Sequence, residues 1–472
     1  MKLTRFAALA LTIALTAGCA GCSSAPAGQT EGTLPAPVIA DTVGSEETLR
    51  ESEPSVSDSE TASFAEKNIS EVKDAEGGKL VIWSYDPEFK KILEKYSPVK
   101  DYEYVEYPAN EYFRRLDAAI ATGKAPDIFL CGFDQVKEYA ESVNTLSIND
   151  IGISNKSCKD MYDYSLRMSC DSSGNIKGLA WELMPSAVFY QRSLAQQYLG
   201  SSEPDKVSGY FSTWNAFITA ARHVSLESDG SVRIVSGTDD VFKSYMGNRT
   251  TAWKTEGKLT IDASCDTYFS FAKAMNSEKL SFDAARGSDV WKAGMRNKTV
   301  LSYWGPLSLA RSQGFGLDST RVKKANPTSG DWGIVAAPDA FAWGGSWIMV
   351  SSDCDMRKSC ADIINALCCD RNNLKEMLSG GMSDFVNSRS VMKEASLDPR
   401  YNFAWLGGQN PYTVLASSAE QINVGTIGPD DAKINDIFCR IVNIYVADGL
   451  KTVKDAKATF REILIEKKIV SG

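Results

Sequence analysis

The order of apolar and polar positions changes abruptly near residue 79. Before it, from Ala20 to about Ala75, the residues Ser, Thr, Pro, Ala and Glu predominate, and no apolar period persists. Such a segment cannot offset its conformational entropy by burial, so a flexible acidic tether is predicted over 19–78. After it, the run KLVIWS at 79–84 predicts a buried strand, and apolar residues at helical spacing after Pro87 predict a helix.

Strand and helix signals then alternate along the chain. Strands are predicted at 102–106 and 127–131, with a helix at 111–122 between them. This alternation favours an α/β fold built on a parallel sheet. Further strands are predicted at 299–304, 332–336 and 347–351, and further helices after Thr213 and at 266–275, 356–369, 430–448 and 452–467.

The first nineteen residues, MKLTRFAALALTIALTAGC, have the layout of an export signal. A basic start precedes an apolar run about half as long as the roughly 20 residues that span a bilayer. Because Cys19 directly follows Ala-Gly, 1–18 resembles a lipoprotein signal peptide and Cys19 the lipidated first residue of the mature protein. Cys22 is the alternative lipid site, and a plain secretory signal is the alternative reading.

Charge and composition narrow the class of protein. The 472 residues carry a formal charge of −9, and loss of Lys2 and Arg5 with the signal gives −9 − 2 = −11. With 43% hydrophobic residues the chain can bury a sizeable core, and its length allows two or three domains. An acidic exported chain without a basic stripe is not expected to bind nucleic acid.

The cysteines leave the disulfide pattern open. Nine of the eleven lie in the body of the protein, an odd number, so at least one is free or pairs outside this set. Export permits disulfides, and Cys158 and Cys170 are close enough in sequence for a bridge. No CxxC pair recurs, so a metal site is not predicted.

The usual catalytic and cofactor motifs are missing from the sequence. The single histidine, His223, stands in a helical stretch without a GxSxG motif, and there is no phosphate-binding glycine loop. The acidic pairs Asp239-Asp240 and Asp430-Asp431 are interpreted as solvated turns or helix starts. Glycoside hydrolysis needs two carboxylates at a defined separation, which a sequence cannot show. We therefore predict a non-enzymatic protein without a cofactor, with a hydrolase as the weaker alternative.

Aromatic residues cluster at predicted strand ends, where ligands bind in open α/β sheets. Sugars present apolar C–H faces and hydroxyl edges, which suit aromatic faces with polar groups beside them. Core burial is the competing explanation for each aromatic. The predicted ligand-binding residues are Tyr85, Asp86, Phe133, Asp134, Trp181, Glu182, Arg249, Trp304, Trp343, Gly344, Gly345, Trp347 and Asn410. In the run AWGGSWIMV, Trp343 is the favoured stacking surface, while core and cleft are equally supported for Trp347.

Several stretches together resemble extracellular solute-binding proteins of the family that includes maltose-binding protein, which serve ABC sugar importers. They are KLVIWSYDPEFKKILEKY, EYFRRLDAAIATGKAPDIF, GKLTIDA, WKAGMRNKTVLSYWGP, GDWGIVAAPDAFAWGGSWIMVS and LGGQNPYTV. The resemblance covers about 79–467 and rests on the order of these pieces.

The resemblance implies a two-lobe periplasmic-binding-protein-like fold with several hinge crossings and ligand in the cleft. Lobe I would take 79–186 plus 338–379, and lobe II 187–337 plus 380–472. It implies a monomeric, lipid-anchored receptor on the outer face of the cell membrane that passes a carbohydrate to an ABC permease. By position, Tyr85, Asp86, Asp134 and Trp304 match cleft segments of the family.

Two departures bear on the ligand. The family's stacking tryptophans are replaced here by Cys131 and Leu307, so maltose and maltodextrins are not favoured. Trp343 and Trp347 supply indoles elsewhere and favour a differently shaped saccharide. A receptor for a non-sugar solute, such as a polyamine or a peptide, stays an alternative.

Overall fold

The computed structural model describes Phe64, Ile69, 71–313, 328–447, 449 and 452–471. The predicted signal peptide, Cys19, Cys22 and most of the predicted tether lie outside the described residues. Within them, no helix combines the length and apolar character needed to cross a membrane.

The described residues form nine strands and seventeen α-helices. The strands are β1 Leu80–Ser84, β2 Tyr102–Glu106, β3 Ile128–Gly132, β4 Gly178–Gln191, β5 Lys254–Thr255, β6 Lys258–Leu259, β7 Ser302–Gly305, β8 Trp332–Val335 and β9 Phe341–Val350. The helices are α1 Pro87–Tyr96, α2 Ala109–Ala121, α3 Phe133–Ala140, α4 Asp163–Met168, α5 Arg192–Leu199, α6 Pro204–Val207, α7 Trp214–Glu227, α8 Phe242–Met246, α9 Ala263–Ser277, α10 Asp289–Arg296, α11 Leu307–Gln313, α12 Arg357–Ile364, α13 Arg371–Ser379, α14 Arg389–Leu397, α15 Pro411–Gln421, α16 Asp431–Ile441 and α17 Val453–Glu466.

Most predicted elements are confirmed, often to within a residue or two. In α1, the residues at helical spacing are the buried ones, Phe89, Ile92, Leu93 and Tyr96, and the Asp86 side chain caps the helix. The long strand β4 was not predicted. Strand β9 begins at Phe341 and runs through both glycines, six residues before its predicted start.

The sheet is mixed, which corrects the prediction of a parallel one. Its order is β2-β1-β3-β9-β4-β7, with β8 also paired to β4. Only β1, β2 and β3 are parallel to one another. β9 runs antiparallel to β3 and β4, and β4 runs antiparallel to β7 and β8.

Two hydrophobic cores share strand β4. The first core holds β1, β3, α1 and the buried apolar side chains from 342 to 424, and the second holds α7, α9, α16 and α17. In the C-terminal half of β4 the side chains alternate between the cores, because successive residues of a strand point to opposite faces: Phe189 enters the first core, and Val188 and Tyr190 enter the second. The lobe boundaries stay a prediction, and the buried side chains from Phe385 to Val424 belong to the first core.

All nine described cysteines are free thiols. The bridge between Cys158 and Cys170 that their spacing would allow is not present in this structure. The Cys170 thiol donates to the Asp171 carbonyl at 3.5 Å, whereas Cys158 lies near Cys369 in the first core.

Candidate interlobe binding site

A cavity of about 260 Å³ lies between the two cores. Its lining comes from α3 on the first core, from α8 and α16 on the second, and from β9 and the 422–428 loop that connect them. The lining residues are Phe133, Asp134, Lys137, Phe242, Lys243, Met246, Gly247, Arg249, Ala340, Phe341, Ala342, Ile422, Asn423, Val424, Thr426, Ile427, Gly428, Asp431, Ala432, Asn435, Asp436 and Cys439.

Helix α3 brings the first core's groups to the cavity. β3 ends at Gly132, so α3 begins at once with Phe133 and Asp134 at the edge of the sheet. Its other face is held in the core by Val136 and Tyr139. Because the anchored face fixes the helix, the two leading side chains project from a rigid support.

Lys243 of α8 crosses to the first core. Its Nζ lies 3.3 Å from an Asp134 carboxylate oxygen and donates to the Trp343 carbonyl at 3.0 Å. The same ammonium is 5.7 Å from the centre of the Phe133 ring and 5.3 Å from that of Trp343. One cation therefore contacts two aromatic rings and a carboxylate at the junction of the cores.

Trp343 is half-buried and also carries a guanidinium on its ring. The Arg286 Cζ is 3.7 Å from the ring centroid. Arg286 donates to Asp240 at 2.8 Å and to the Trp304 carbonyl at 2.7 Å. Burial raises the pKa of Asp240 to about 6, and Arg286 and the Trp291 indole N–H oppose the shift. A ligand that stacks on this face of Trp343 must therefore displace Arg286.

Arg249 and Asp431 form a buried ion pair in the cavity wall. Their side chains are only 3% and 8% exposed. Burial raises the pKa of Asp431, and Arg249 opposes that rise. The guanidinium also lies 5.0 Å from the Trp253 ring centroid, so the pair holds α16 against the segment after α8.

Four predicted residues lie at the cavity or next to it. Phe133, Asp134 and Arg249 line it, and Trp343 adjoins it through Lys243. Gly344 and Gly345 are inside β9, where they pair with Met184 and Leu183 of β4, and neither lines the cavity.

Three predicted tryptophans are buried in the cores, at most 1% exposed, and none of them lines the cavity. Trp181 packs against Phe89 in the first core, with ring centroids 5.9 Å apart. Trp304 stacks on Trp214 in the second core at 5.8 Å and 15°. Trp347 donates its indole N–H to the Ser165 carbonyl at 3.0 Å. Burial of large aromatic surface is what stabilises each core here.

Four predicted residues have local structural partners. The Tyr85 ring packs 5.0 Å from Tyr112, and burial raises its pKa. Asp86 accepts from the Glu88 N–H at 2.9 Å as the cap of α1. Glu182 accepts from the Asp384 N–H at 3.2 Å, and Asn410 caps α15 while donating to the Ala395 carbonyl at 2.8 Å. None of the four lines the cavity.

Sequence reasoning missed Lys243, Arg286 and the buried state of Asp240. Asp240 and Asp431 are 1% and 5% exposed, so their interpretation as solvated residues is wrong. Asp431 does start α16, as predicted. The available signal was the apolar setting of Asp240 and Lys243 in VSGTDDVFKSYM, because buried charges require partners elsewhere in the chain.

Among the described residues, no group of three or more His, Cys, Asp or Glu side chains is placed to hold a metal ion. Charge in the cavity is balanced instead. The lining has three cationic side chains, Lys137, Lys243 and Arg249, and three carboxylates, Asp134, Asp431 and Asp436.

Comparison with solved structures shows the same fold. A protein described as an extracellular solute-binding protein of family 1 superposes with a TM-score of 0.69 at 16% identity, over 83% of this chain and 99% of that one. An ABC-transporter-associated binding protein from B. animalis subsp. lactis, in complex with β-1,6-galactobiose, gives 0.61 at 19% identity, over 83% and 97%. The lacto-N-biose-binding protein of an ABC transporter from Bifidobacterium longum gives 0.63 at 14%, over 84% and 100%.

At these identities the structural matches establish the two-lobe periplasmic-binding-protein fold. Comparison with curated protein sequences finds no match. The family profile described as "Bacterial extracellular solute-binding protein" matches residues 89–401, about two thirds of the chain. The chain therefore belongs to the bacterial extracellular solute-binding protein family.

Proposed function

We propose that the protein captures a mono- or oligosaccharide in the cavity between its cores and delivers it to an ABC permease. The observation that carries this is the composition of the lining. Phenylalanine residues from both cores and from β9 line one space together with carboxylates, two asparagine amides and ammonium groups. Aromatic faces beside placed polar groups are the combination that a sugar ring requires.

The balance of charge favours a neutral solute over a polyamine. A polycation would need an excess of carboxylates, but three cations match three carboxylates around the cavity. Lys243 is already paired with Asp134, and Arg249 with Asp431. The saccharides bound by the solved relatives, β-1,6-galactobiose and lacto-N-biose, are consistent with this choice of solute class.

We further propose that Phe133 and Trp343 are the stacking residues. Both are half-buried, and both have the Lys243 ammonium within 6 Å of the ring centre. In the absence of sugar, Lys243 and Arg286 would cover faces that the ligand takes over on binding. Binding in the cleft would favour a closed arrangement of the two lobes.

A lipid on Cys19 would attach the protein to the outer face of the cell membrane, and the acidic tether would connect Cys19 to the folded part. This part of the proposal rests on the sequence of the export signal. It agrees with the extracytoplasmic location that the family description gives.

A ligand panel with matched variants tests the proposed function. The wild-type protein, Phe133→Ala, Trp343→Ala and Trp83→Ala are screened with mono- and oligosaccharides by thermal shift, and affinities follow from tryptophan fluorescence. Trp83 is a half-buried control, because its ring packs on Tyr107 with centroids 4.9 Å apart and does not line the cavity. We expect roughly tenfold weaker binding for each of the first two variants and unchanged affinity for the control.

Two further arms separate the alternatives. A shift produced by spermidine or a peptide but by no saccharide would replace the sugar with a non-sugar solute. New reducing ends after incubation with oligosaccharides would identify a hydrolase. Equal affinity in Phe133→Ala, Trp343→Ala and wild type would place the sugar elsewhere.

A further inference from the structure

Two buried thiols face each other just beyond the end of β9. Cys354 follows the strand, and Cys360 lies in α12. Their Sγ atoms are 3.6 Å apart. The two residues are 5% and 0% exposed, and both pack in the first core. The folded chain therefore already holds the two sulfur atoms in contact.

Other described thiols have different partners. The Cys368 Sγ lies 3.6 Å from the Leu179 carbonyl, and the Cys439 Sγ lies 3.6 Å from an Asp239 carboxylate oxygen. Cys170 donates to a backbone carbonyl. The contact between Cys354 and Cys360 differs from these three because both contacting atoms are sulfur.

We propose that Cys354 and Cys360 form a disulfide after the protein is exported. The inference uses the extracytoplasmic location of the family and is independent of which solute the cleft binds. Outside the cytoplasm no strong thiol-reducing system acts on the chain, so a contacting thiol pair is free to be oxidised and to stay oxidised.

The chemistry requires a disulfide-bearing oxidant, such as an exported thiol oxidoreductase or a small-molecule disulfide. One cysteine thiolate attacks the oxidant's disulfide, forming a mixed disulfide and releasing one thiolate. The second cysteine then attacks the protein sulfur and expels the other thiolate. The two cysteine thiols together lose two protons and two electrons when the S–S bond forms. The oxidant's disulfide takes up both and becomes two thiols.

Burial decides when the reaction takes place. The hydrogen bond with Cys354, together with burial, raises the pKa of the Cys360 thiol, so little thiolate is present in the folded protein. Cys360 is fully buried and Cys354 is only 5% exposed, so an oxidant has little access to either sulfur in the folded protein. The bond should therefore form while the chain folds, and once formed it should resist reductant until the protein unfolds.

The disulfide would secure the point where the N-terminal segment joins the first core. The Ser359 N–H and hydroxyl donate to the Asp74 carboxylate at 3.0 and 2.6 Å, and the Ala75 N–H donates to the Asp355 carbonyl at 2.9 Å. On the core side, Asp355 accepts and Ser359 donates, and both residues lie between Cys354 and Cys360 in the sequence. Closing this loop would fix the docking site of Asp74 and Ala75, which fall within the C-terminal end of the predicted tether.

Peptide mapping tests the bond directly. The full chain without its signal is denatured, refolded with oxidised glutathione, alkylated under denaturing conditions and digested with trypsin. Cleavage after Arg357 and Lys358 separates Cys354 from Cys360. We expect peptide 325–357 to be linked to 359–371 with the loss of two hydrogens, and fragmentation to assign the link to Cys360 rather than Cys368 or Cys369.

Matched variants complete the test. Cys360→Ala should abolish the link, and Cys368→Ala should keep it. The wild-type protein should melt several degrees higher when refolded with oxidised than with reduced glutathione, and Cys354→Ala/Cys360→Ala should show no such difference. Alkylation of both Cys354 and Cys360 after oxidative refolding, or a link from Cys354 to any other cysteine, would overturn the proposal. The map of the wild-type chain alone decides between these outcomes if a variant fails to fold.

Discussion

Two adjacent glycines in β9 differ sharply in what they tolerate. Gly345 has φ of +151°, and a Cβ there would lie 2.7 Å from the Trp347 ring and 3.2 Å from the Glu182 carbonyl oxygen. Trp347 is fully buried and cannot move away. A Cβ at Gly344 would meet only the flexible Met184 side chain, at 3.0 Å. Gly345 is therefore required by the packing of its neighbours.

We predict that Gly345→Ala lowers the free energy of unfolding by roughly 2–5 kcal/mol, from backbone strain and overpacking together. Gly344→Ala should cost less than about 1 kcal/mol, since Met184 can change rotamer. Urea unfolding of the two variants beside wild type measures both values. Equal stabilities for the two variants would contradict the assignment of strain to Gly345.

The sequence predicted that aromatic residues lie near strand ends, but it did not predict which of their side chains are exposed. Trp343 and Trp347 stand four residues apart in one strand, yet one is half-buried and the other has no exposed surface. The difference is set by what packs on each side of β9. The backbone carbonyl of Ser165 and the ring of Phe133, both distant in sequence, decide the position of Trp347.

Among the elements, α3 connects the two cores by charge. Asp134 and Glu138 are four residues apart, one helical turn, and each faces a lysine of the second core. The Lys243 Nζ is 3.3 Å from Asp134, and the Lys433 Nζ is 3.0 Å from Glu138. The side chains of Glu138 and Lys433 are about half exposed, so water and salt screen their pair.

We predict that the Glu138–Lys433 pair contributes to closure of the lobes and hence to affinity. Glu138→Lys should weaken ligand binding a few-fold, and adding Lys433→Glu should restore it, because an exposed pair contributes up to ~1 kcal/mol. Titration calorimetry at low and high salt provides the measurement, and the effect should fade at high salt. Glu141→Lys, on the turn after α3, is a matched charge reversal near Lys137 and away from Lys433. Similar losses in both single variants, with no rescue by the swap, would contradict a specific interlobe pair.

Helices and strands were predicted well where the apolar residues follow a single helical or strand spacing. They were missed where one strand contributes side chains to both cores. α1 was predicted closely because its apolar residues recur at helical spacing and form one buried face. β4 is almost wholly buried on both faces, so it has no apolar–polar alternation to detect. Its antiparallel pairing with β7, β8 and β9 depends on segments more than 100 residues away, which local patterns do not encode.

For the whole molecule, the order of family-like stretches predicted the fold that the comparisons establish. The cleft was predicted less well, because its cations come from positions without a distinctive motif. Lys243 and Arg286 acquire their roles only when α8 and the loop before α10 meet β9. A site formed by tertiary contact between two cores cannot be read from any one segment.

Attachment of the molecule at the cell surface would depend on one of two N-terminal cysteines, Cys19 or Cys22. In the predicted export signal Cys19 directly follows Ala-Gly, while Cys22 has Cys19 three positions before it, a poorer match to a lipoprotein signal. Removal of the predicted signal would leave a formal charge of −11, and an acidic chain gains no affinity from anionic headgroups, so the proposed lipid would have to supply the membrane affinity. We predict that Cys19→Ser moves the protein from the membrane fraction to the soluble fraction, whereas the matched variant Cys22→Ser stays membrane-bound. Membrane fractionation measures where each variant is found, and metabolic labelling with a fatty acid measures whether it carries lipid. Retention of Cys19→Ser together with release of Cys22→Ser would assign the lipid to Cys22, and release of neither would indicate an anchor other than either cysteine.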